Sequence, residues 1–425
     1  MLKKIIKSEF SKNVLTLMTG TTIAQIIGVA ISPIITRIYS PEDFGIFALF
    51  FSLVSLISII VTGQYESAIM LPETDEDALA VVSLSFILTC IISFLTLISV
   101  WLFNHQLTLL LNNSRMSDWL YIVPLSVFLT GLYNILSFWV SRKKMFKRLA
   151  LRTITQSTST SGLKLALGFG GIKSSGLIIS TIVGQIIATG WLGLQFWKED
   201  HKRIKYVSVS MLKKNALKYQ DFPKYNAAQG FMDSYRDSGI ALAISSFYNT
   251  YFLGIYSFSM TMLQKPMVLI GSAISQVFFQ KLSETLNNQQ NIWKLTKKII
   301  IKQLFISVPA FLILVLFAPD LFAFVFSENW RKAGEYSQIL APFIILRYII
   351  SPITSLPMVL NKQKQFLILS FIINFMFPAI FFITSMFSSN IKIALWIISI
   401  FGSIYMIYLY LWLRKICIQC NPITK

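Results

Sequence analysis

Acidic residues, histidine and cysteine are the scarce ones. The chain has 18 Asp and Glu against 38 Lys and Arg, with two His and three Cys in 425 residues. Only 13% of positions are charged, about half the share in a soluble domain, while 55% are hydrophobic. That balance belongs to a polytopic membrane protein. His105 and His201 are too few and too far apart to build a metal site, so no metal is expected. Cys90, Cys417 and Cys420 make no disulfide framework, and Cys417-Ile-Gln-Cys420 reads as two incidental thiols at the end of the last helix. No HExxH or GxSxG occurs, and Gly168-Phe-Gly-Gly-Ile-Lys173-Ser174 lacks the Gly-Lys pair of a phosphate-binding loop. No cofactor and no ATP hydrolysis are expected, and no outward connection is long enough for a catalytic domain, so the chain does not read as an enzyme. The N-terminus shows no short apolar core with a cleavage site and reads as a retained first helix.

The hydrophobic residues form twelve candidate spans, near 14–36, 44–70, 79–103, 119–141, 153–171, 175–197, 226–247, 252–280, 303–326, 336–360, 366–387 and 393–413. The expected fold is therefore all-α, an integral membrane protein of about twelve transmembrane helices. With both termini placed in the cytoplasm, the inward connections hold 28 Lys and Arg and the outward ones six, Arg37, Arg115, Lys173, Arg331, Lys332 and Lys392. This bias sets an N-in, C-in topology. The net charge of +20 is thus orientation and attraction to anionic headgroups, not nucleic-acid binding.

The longest connection, 198–225, carries eight Lys and Arg and falls after six of the twelve spans. It divides the chain into a six-helix bundle over 1–197, a basic cytoplasmic connector lying along the membrane surface, and a second six-helix bundle over 226–425. Residues 38–54 lie over 247–263 with Tyr39/Tyr248, Gly45/Gly254 and Ile46/Ile255 identical, as a six-plus-six duplication requires. Glu284–Lys302 mixes Trp293, Leu295 and Ile299 with Lys294, Lys297 and Lys298, the pattern of a short interfacial helix.

Polar residues inside spans are the site candidates, because a charge facing lipid costs several kcal/mol. The span at 226–247 carries Gln229, Asp233, Arg236 and Asp237, which with Ile240 fall on one stripe at helical spacing. That stripe is expected to face other helices or a wet cavity. Either reading, an ion-pair network or a cavity wall, fits the spacing alone. Lys164, Lys265 and Arg347 are the other cations inside spans, each open to snorkelling or pairing as an alternative. Glu66, near a span end, reads as structural. Thr153–Ser161, with seven Ser and Thr residues, suits helix packing or a cavity wall.

Two blocks carry a family resemblance. One runs Thr36-Arg-Ile-Tyr-Ser-Pro-Glu-Asp-Phe-Gly45, then Gln64-Tyr-Glu-Ser-Ala-Ile-Met-Leu-Pro72 and Asp75-Glu-Asp-Ala78. The other runs Tyr219-Gln-Asp-Phe-Pro-Lys-Tyr-Asn-Ala-Ala-Gln-Gly230 and continues through Gly271–Gln280. They resemble the Wzx-type oligosaccharide flippases, polysaccharide biosynthesis proteins of the multidrug/oligosaccharidyl-lipid/polysaccharide superfamily. The resemblance implies two six-helix bundles around a central cavity, a bacterial inner-membrane location, and alternating access. Its implied substrate is an undecaprenyl-pyrophosphate-linked oligosaccharide for O-antigen, capsule or exopolysaccharide, moved to the outer leaflet. A glycan polymerase and a chain-length regulator are the implied partners. A pyrophosphate requires cations, so Arg236, Lys164, Lys265 and Arg347 become candidate substrate contacts, and Asp233 or Asp237 candidate ion-coupling residues. Tyr235 and Trp191 are candidates to stack sugars. A drug antiporter of the same superfamily and a membrane-embedded glycosyltransferase are the rival readings.

Overall fold

Ser40 starts a helix as its neighbours prescribe. Its side chain accepts from the Asp43 backbone while Asp43 bonds back to the Ser40 backbone, a capping box with Pro41 at the first helical position. A computed structural model describes residues 9–287, 291–360 and 362–419. Among these, six long helices precede residue 205: α1 Glu9–Ile38, α2 Pro41–Ser58, α3 Asp75–Leu110, α4 Val123–Arg142, α5 Phe146–Phe169 and α6 Ser174–Ile204. Six follow residue 226: α7 Ala227–Phe247, α8 Thr250–Asn287, α9 Ile292–Phe326, α10 Arg331–Ile350, α11 Gln363–Phe387 and α12 Ile391–Gln419. No strand occurs among the described residues.

Among the described residues, nine segments are long and apolar enough to cross a membrane. The three long helices outside that set are α5, α7 and α8, and these carry Lys164, the Asp233–Asp237 charges and Lys265. In α5 and α7, the polarity that marks site candidates is what keeps them out of that set.

Two compact units divide the chain, Met1–Tyr251 and Phe252–Lys425. In the first, α5 packs between α1 and α6, and α2 packs against α4, α6 and α7. Closeness is allowed by small residues: a Cβ on Gly184 would collide with Thr160 Oγ1, and one on Gly20 would meet the Ala150 Cβ. In the second, α10 packs against α9 and α12, and α12 against α11. Its core includes Phe258, which lies with its ring 4.3 Å from that of the fully buried Trp330.

Several expected boundaries move. The span expected over 44–70 ends at Ser58, because Gly63 (φ 61°) and Gln64 (φ 59°) turn the chain before a 3-10 turn over Tyr65–Met70. The expected interfacial helix at 284–302 is not separate, since Ile292–Lys302 is the start of α9; residues 288–290 lie outside the description. Only 143–145 interrupt helix in the expected connection 142–152. Within the connector, a ten-residue helix, Val209–Lys218, lies against α3, where Asn215 Nδ2 donates to Asp77 Oδ1 at 3.1 Å. The aligned segments 38–54 and 247–263 occupy equivalent places: Tyr39 and Tyr248 each follow one long helix by a single residue, and Ile46 and Ile255 are both fully buried. By contacts, α7 groups with the first unit, held there by α2.

Candidate functional site

The polar helix α7 is entered through one π turn, Phe222–Asn226, with the Ala227 N–H reaching back to the Phe222 carbonyl. A π turn widens the helix and is frequent at functional sites. One side of α7 is fastened by hydroxyls. Ser238 Oγ donates to the Ser52 carbonyl at 2.9 Å, and Ser245 and Ser246 donate to the Leu111 and Leu110 carbonyls at 3.2 and 2.7 Å. The other side is open. Gln229, Asp233 and Asp237 are exposed, and Arg236 forks onto its neighbour Asp237 with Nε–Oδ1 at 2.7 Å and Nη2–Oδ2 at 3.1 Å. The Arg236 side chain is 18% exposed and that of Asp237 68%. The expected stripe therefore changes surroundings along its length: exposed at 229, 233 and 237, buried at Ile240, where the helix has moved against its neighbours.

Lys164, on α5, rests its Nζ 4.6 Å from the centre of the Phe47 ring on α2. The Lys164 carbonyl accepts from Tyr39 Oη at 2.7 Å. Helix α2 thus touches both Lys164 and the anchored side of α7. Lys265, on α8, and Arg347, on α10, belong to the second unit and are half-buried. Tyr235 stacks on Phe231, and Trp191 packs on the Leu136–Leu192 cluster. Along Thr153–Ser161, Thr153 donates to its own helix and Ser157 to the Ala24 carbonyl on α1, while the buried Thr160 hydroxyl has no partner among the described residues.

Sequence reasoning missed Arg152. Assigned to a loop, it instead occupies the second turn of α5, 4% exposed, with its guanidinium carbon 3.4 Å from the centre of the Tyr133 ring on α4. Its Nε has no hydrogen-bond partner, and it has no ion-pair partner among the described residues. The signal lay in the helical spacing of Phe146, Leu149, Ala150 and Thr153, which begins well before 153.

The blocks that carry the family resemblance are structural in their contacts. Asp43 Oδ1 accepts from the Ser174 backbone N–H at 3.0 Å, so one buried carboxylate caps α2 and holds the start of α6. Glu66, buried, accepts from Thr62, and Tyr65 Oη donates to the Ala216 carbonyl of the connector helix at 3.0 Å. Arg142 donates to the Pro72 and Ile69 carbonyls at 2.8 and 3.1 Å, and Asp75 meets Lys143 at 2.5 Å, Arg203 at 3.0 Å and Arg142 at 3.4 Å. The Lys143 hydrogen bond, reinforced by Arg142, holds the Asp75 carboxyl below its ordinary value. Cys420 lies outside the described residues; Cys417 is a buried free thiol.

Residues 34–335 match the family of polysaccharide biosynthesis proteins. The chain belongs to that family. Among curated proteins none matches the sequence. The fold is similar to that of a multidrug resistance MATE family transporter of the MOP superfamily, solved in an inward-facing conformation, with TM-score 0.71 at 15% identity, covering 95% of this chain and 94% of the other. The lipid II flippase MurJ in an inward closed conformation gives TM-score 0.74 at 13% identity, over 93% of this chain and 87% of that one. At such identity the likeness is one of fold. This member of the polysaccharide biosynthesis family is a multi-pass helical membrane protein with an open polar face on α7.

Proposed function

We propose that this polysaccharide biosynthesis protein is a flippase of the MOP superfamily that moves undecaprenyl-pyrophosphate-linked oligosaccharide from the cytoplasmic to the outer leaflet of the bacterial inner membrane. The observation that carries the reading is the family match across 34–335 on a transporter fold, with Asp233, Arg236 and Asp237 together on the long helix α7. A family named for polysaccharide synthesis, without a catalytic motif, is best served by transport of the lipid-linked intermediate.

In this reading the chain acts by alternating access of two six-helix halves joined through 198–225. Arg236 and Lys164, with Lys265 and Arg347 from the second unit, neutralise the pyrophosphate during passage, since desolvating its oxygens without cations is prohibitive. Asp237 holds Arg236 in place until an anion exchanges for it, and Asp233 is then the candidate for a coupling ion. A glycan polymerase and chain-length regulator follow it in the same process.

The test measures lipid-linked oligosaccharide in a deletion strain, its leaflet assigned with a membrane-impermeant sugar-modifying reagent. Accumulation on the cytoplasmic leaflet, reversed by the wild-type gene but not by a stably inserted Arg236→Ala variant, is the expected result. Normal surface glycan without the gene would overturn the reading. Altered tolerance to small cationic compounds would instead favour the second reading, a drug antiporter, which the likeness to a multidrug transporter recommends.

A further inference from the structure

The ends of α11 and α12 enclose a groove of about 410 Å³ that no part of the transport reading uses. Its polar lining is Lys362, Gln365, Tyr408, Trp412, Lys415 and Gln419, and its apolar wall is Ile368, Leu369 and Ile416. Lys362 immediately precedes α11 and Lys415 lies on α12, and neither has an ion-pair partner among the described residues. The sequence explains why: from Tyr336 to Lys425 it contains no Asp or Glu at all. Two ammonium groups thus line one groove with no carboxylate on either helix to neutralise them.

The surroundings fix the level of this groove. Trp412 stacks on Phe366 with ring centroids 6.4 Å apart and planes at 16°. Next to it Trp293 packs against Tyr410, and Arg414 lies over the Trp293 ring. Trp and Tyr mixed with Lys and Arg at a helix end is the composition of a membrane–water boundary. Away from the lysines, Ile368, Phe371, Ile372 and Phe375 on α11 and Ile400 and Ile404 on α12 remain exposed. The groove therefore joins a cationic, amide-bearing head to an apolar stripe, the outline of a lipid.

We propose that this groove binds an anionic phospholipid, its phosphate between Lys362 and Lys415 and its acyl chains along the exposed stripe. Charge complementarity selects the headgroup. Phosphatidylglycerol brings a net negative charge and hydroxyls for Gln365, Gln419 and Tyr408, whereas a choline or ethanolamine headgroup brings a cation that finds no carboxylate here. The inference needs the chain to be a membrane protein but not any particular cargo, so it stands or falls separately from the flippase reading.

The full chain, purified in detergent, is titrated with phosphatidylglycerol or phosphatidylcholine of identical acyl chains, and bound lipid is counted by native mass spectrometry. Wild type is expected to retain phosphatidylglycerol in preference. Lys362→Gln with Lys415→Gln should weaken that retention roughly tenfold, because each lysine near a lipid phosphate contributes strongly, whereas Lys415→Arg keeps it. Should the double variant unfold, quenching of Trp412 fluorescence by brominated phosphatidylglycerol in the wild type, judged against Trp412→Phe, decides. Equal retention of the two lipids, an unaffected double variant, or no Trp412-dependent quenching would overturn the proposal.

Discussion

Two arginines of the first unit show how differently one residue type behaves inside a helical membrane protein. Arg236 is forked onto Asp237 beside the exposed Asp233, so its charge is held by a neighbouring carboxylate. Arg152 is buried against the Tyr133 ring with its Nε unpaired. A desolvated cation–π contact contributes about 2 kcal/mol or more. Burying the guanidinium costs several kcal/mol, so the balance is unfavourable to stability. Arg152→Met is therefore expected to leave the melting temperature in detergent unchanged or higher, while surface glycan falls if the charge serves transport. A lower melting temperature would make Arg152 a packing residue instead. The sequence could not announce this position, because a basic residue near a span end reads as an orientation signal. Asp233, Arg236 and Asp237 stood out in the sequence for the opposite reason: three charges within one apolar-length helix need polar surroundings.

Among the elements, the turn between α1 and α2 bears on three helices at once, through Tyr39 to α5 and Asp43 to α2 and α6. Asp43→Ala removes a cap from α2 and the acceptor for the Ser174 N–H. It is expected to cost about 1–2 kcal/mol, visible as a lower melting temperature with the first unit intact at low temperature. Asp75, at the start of α3, should give a pH signature. Helix α3 has 36 residues and is about 54 Å long, well beyond a roughly 30 Å hydrocarbon core, so its first turn projects into water. Because Lys143 and Arg142 depress the Asp75 value from 3.8, its stabilisation is complete above that pH and is lost as pH falls through the depressed value. Thermal stability measured from pH 6 to pH 3 should fall less steeply in Asp75→Asn than in wild type. Parallel curves would show that the cluster adds nothing. The sequence blocks that first suggested the family, around Ser40–Gly45 and Gln64–Asp77, are built from these caps and clamps. Their text was recognisable, but their role in holding helix ends needed three-dimensional contacts between residues over a hundred positions apart, such as Asp43 with Ser174 and Tyr65 with Ala216.

At the level of the whole molecule, hydropathy located the helices better than their ends. All twelve expected spans fall on a helix of at least 18 residues, because apolar length is a local property. The break after Ser58, the start of α5 at Phe146 and the start of α9 at Ile292 were not local, since each depends on turn geometry or on what packs alongside. Among the described residues α5 and α7 are long helices too polar for the set of nine apolar enough to cross unaided, so the number of crossings is the prediction that discriminates most. If all twelve cross, residues 205–208 and the C-terminus share one side of the membrane, and Gly171–Lys173 and Ser389–Asn390 lie on the other. Single cysteines placed at Lys205 and at Asn390, in a chain whose Cys90, Cys417 and Cys420 are replaced by Ser, are expected to respond oppositely to an impermeant maleimide applied to intact cells. Asn390 should label at once and Lys205 only after permeabilisation. Helices α7 to α11 lie between the two positions, so labelling of both from outside would mean that an even number of them crosses. The polar α7 would then be the first to move to the surface. Opposite labelling fits α7 within the membrane, where charges such as those of Asp233 and Arg236 require a polar partner.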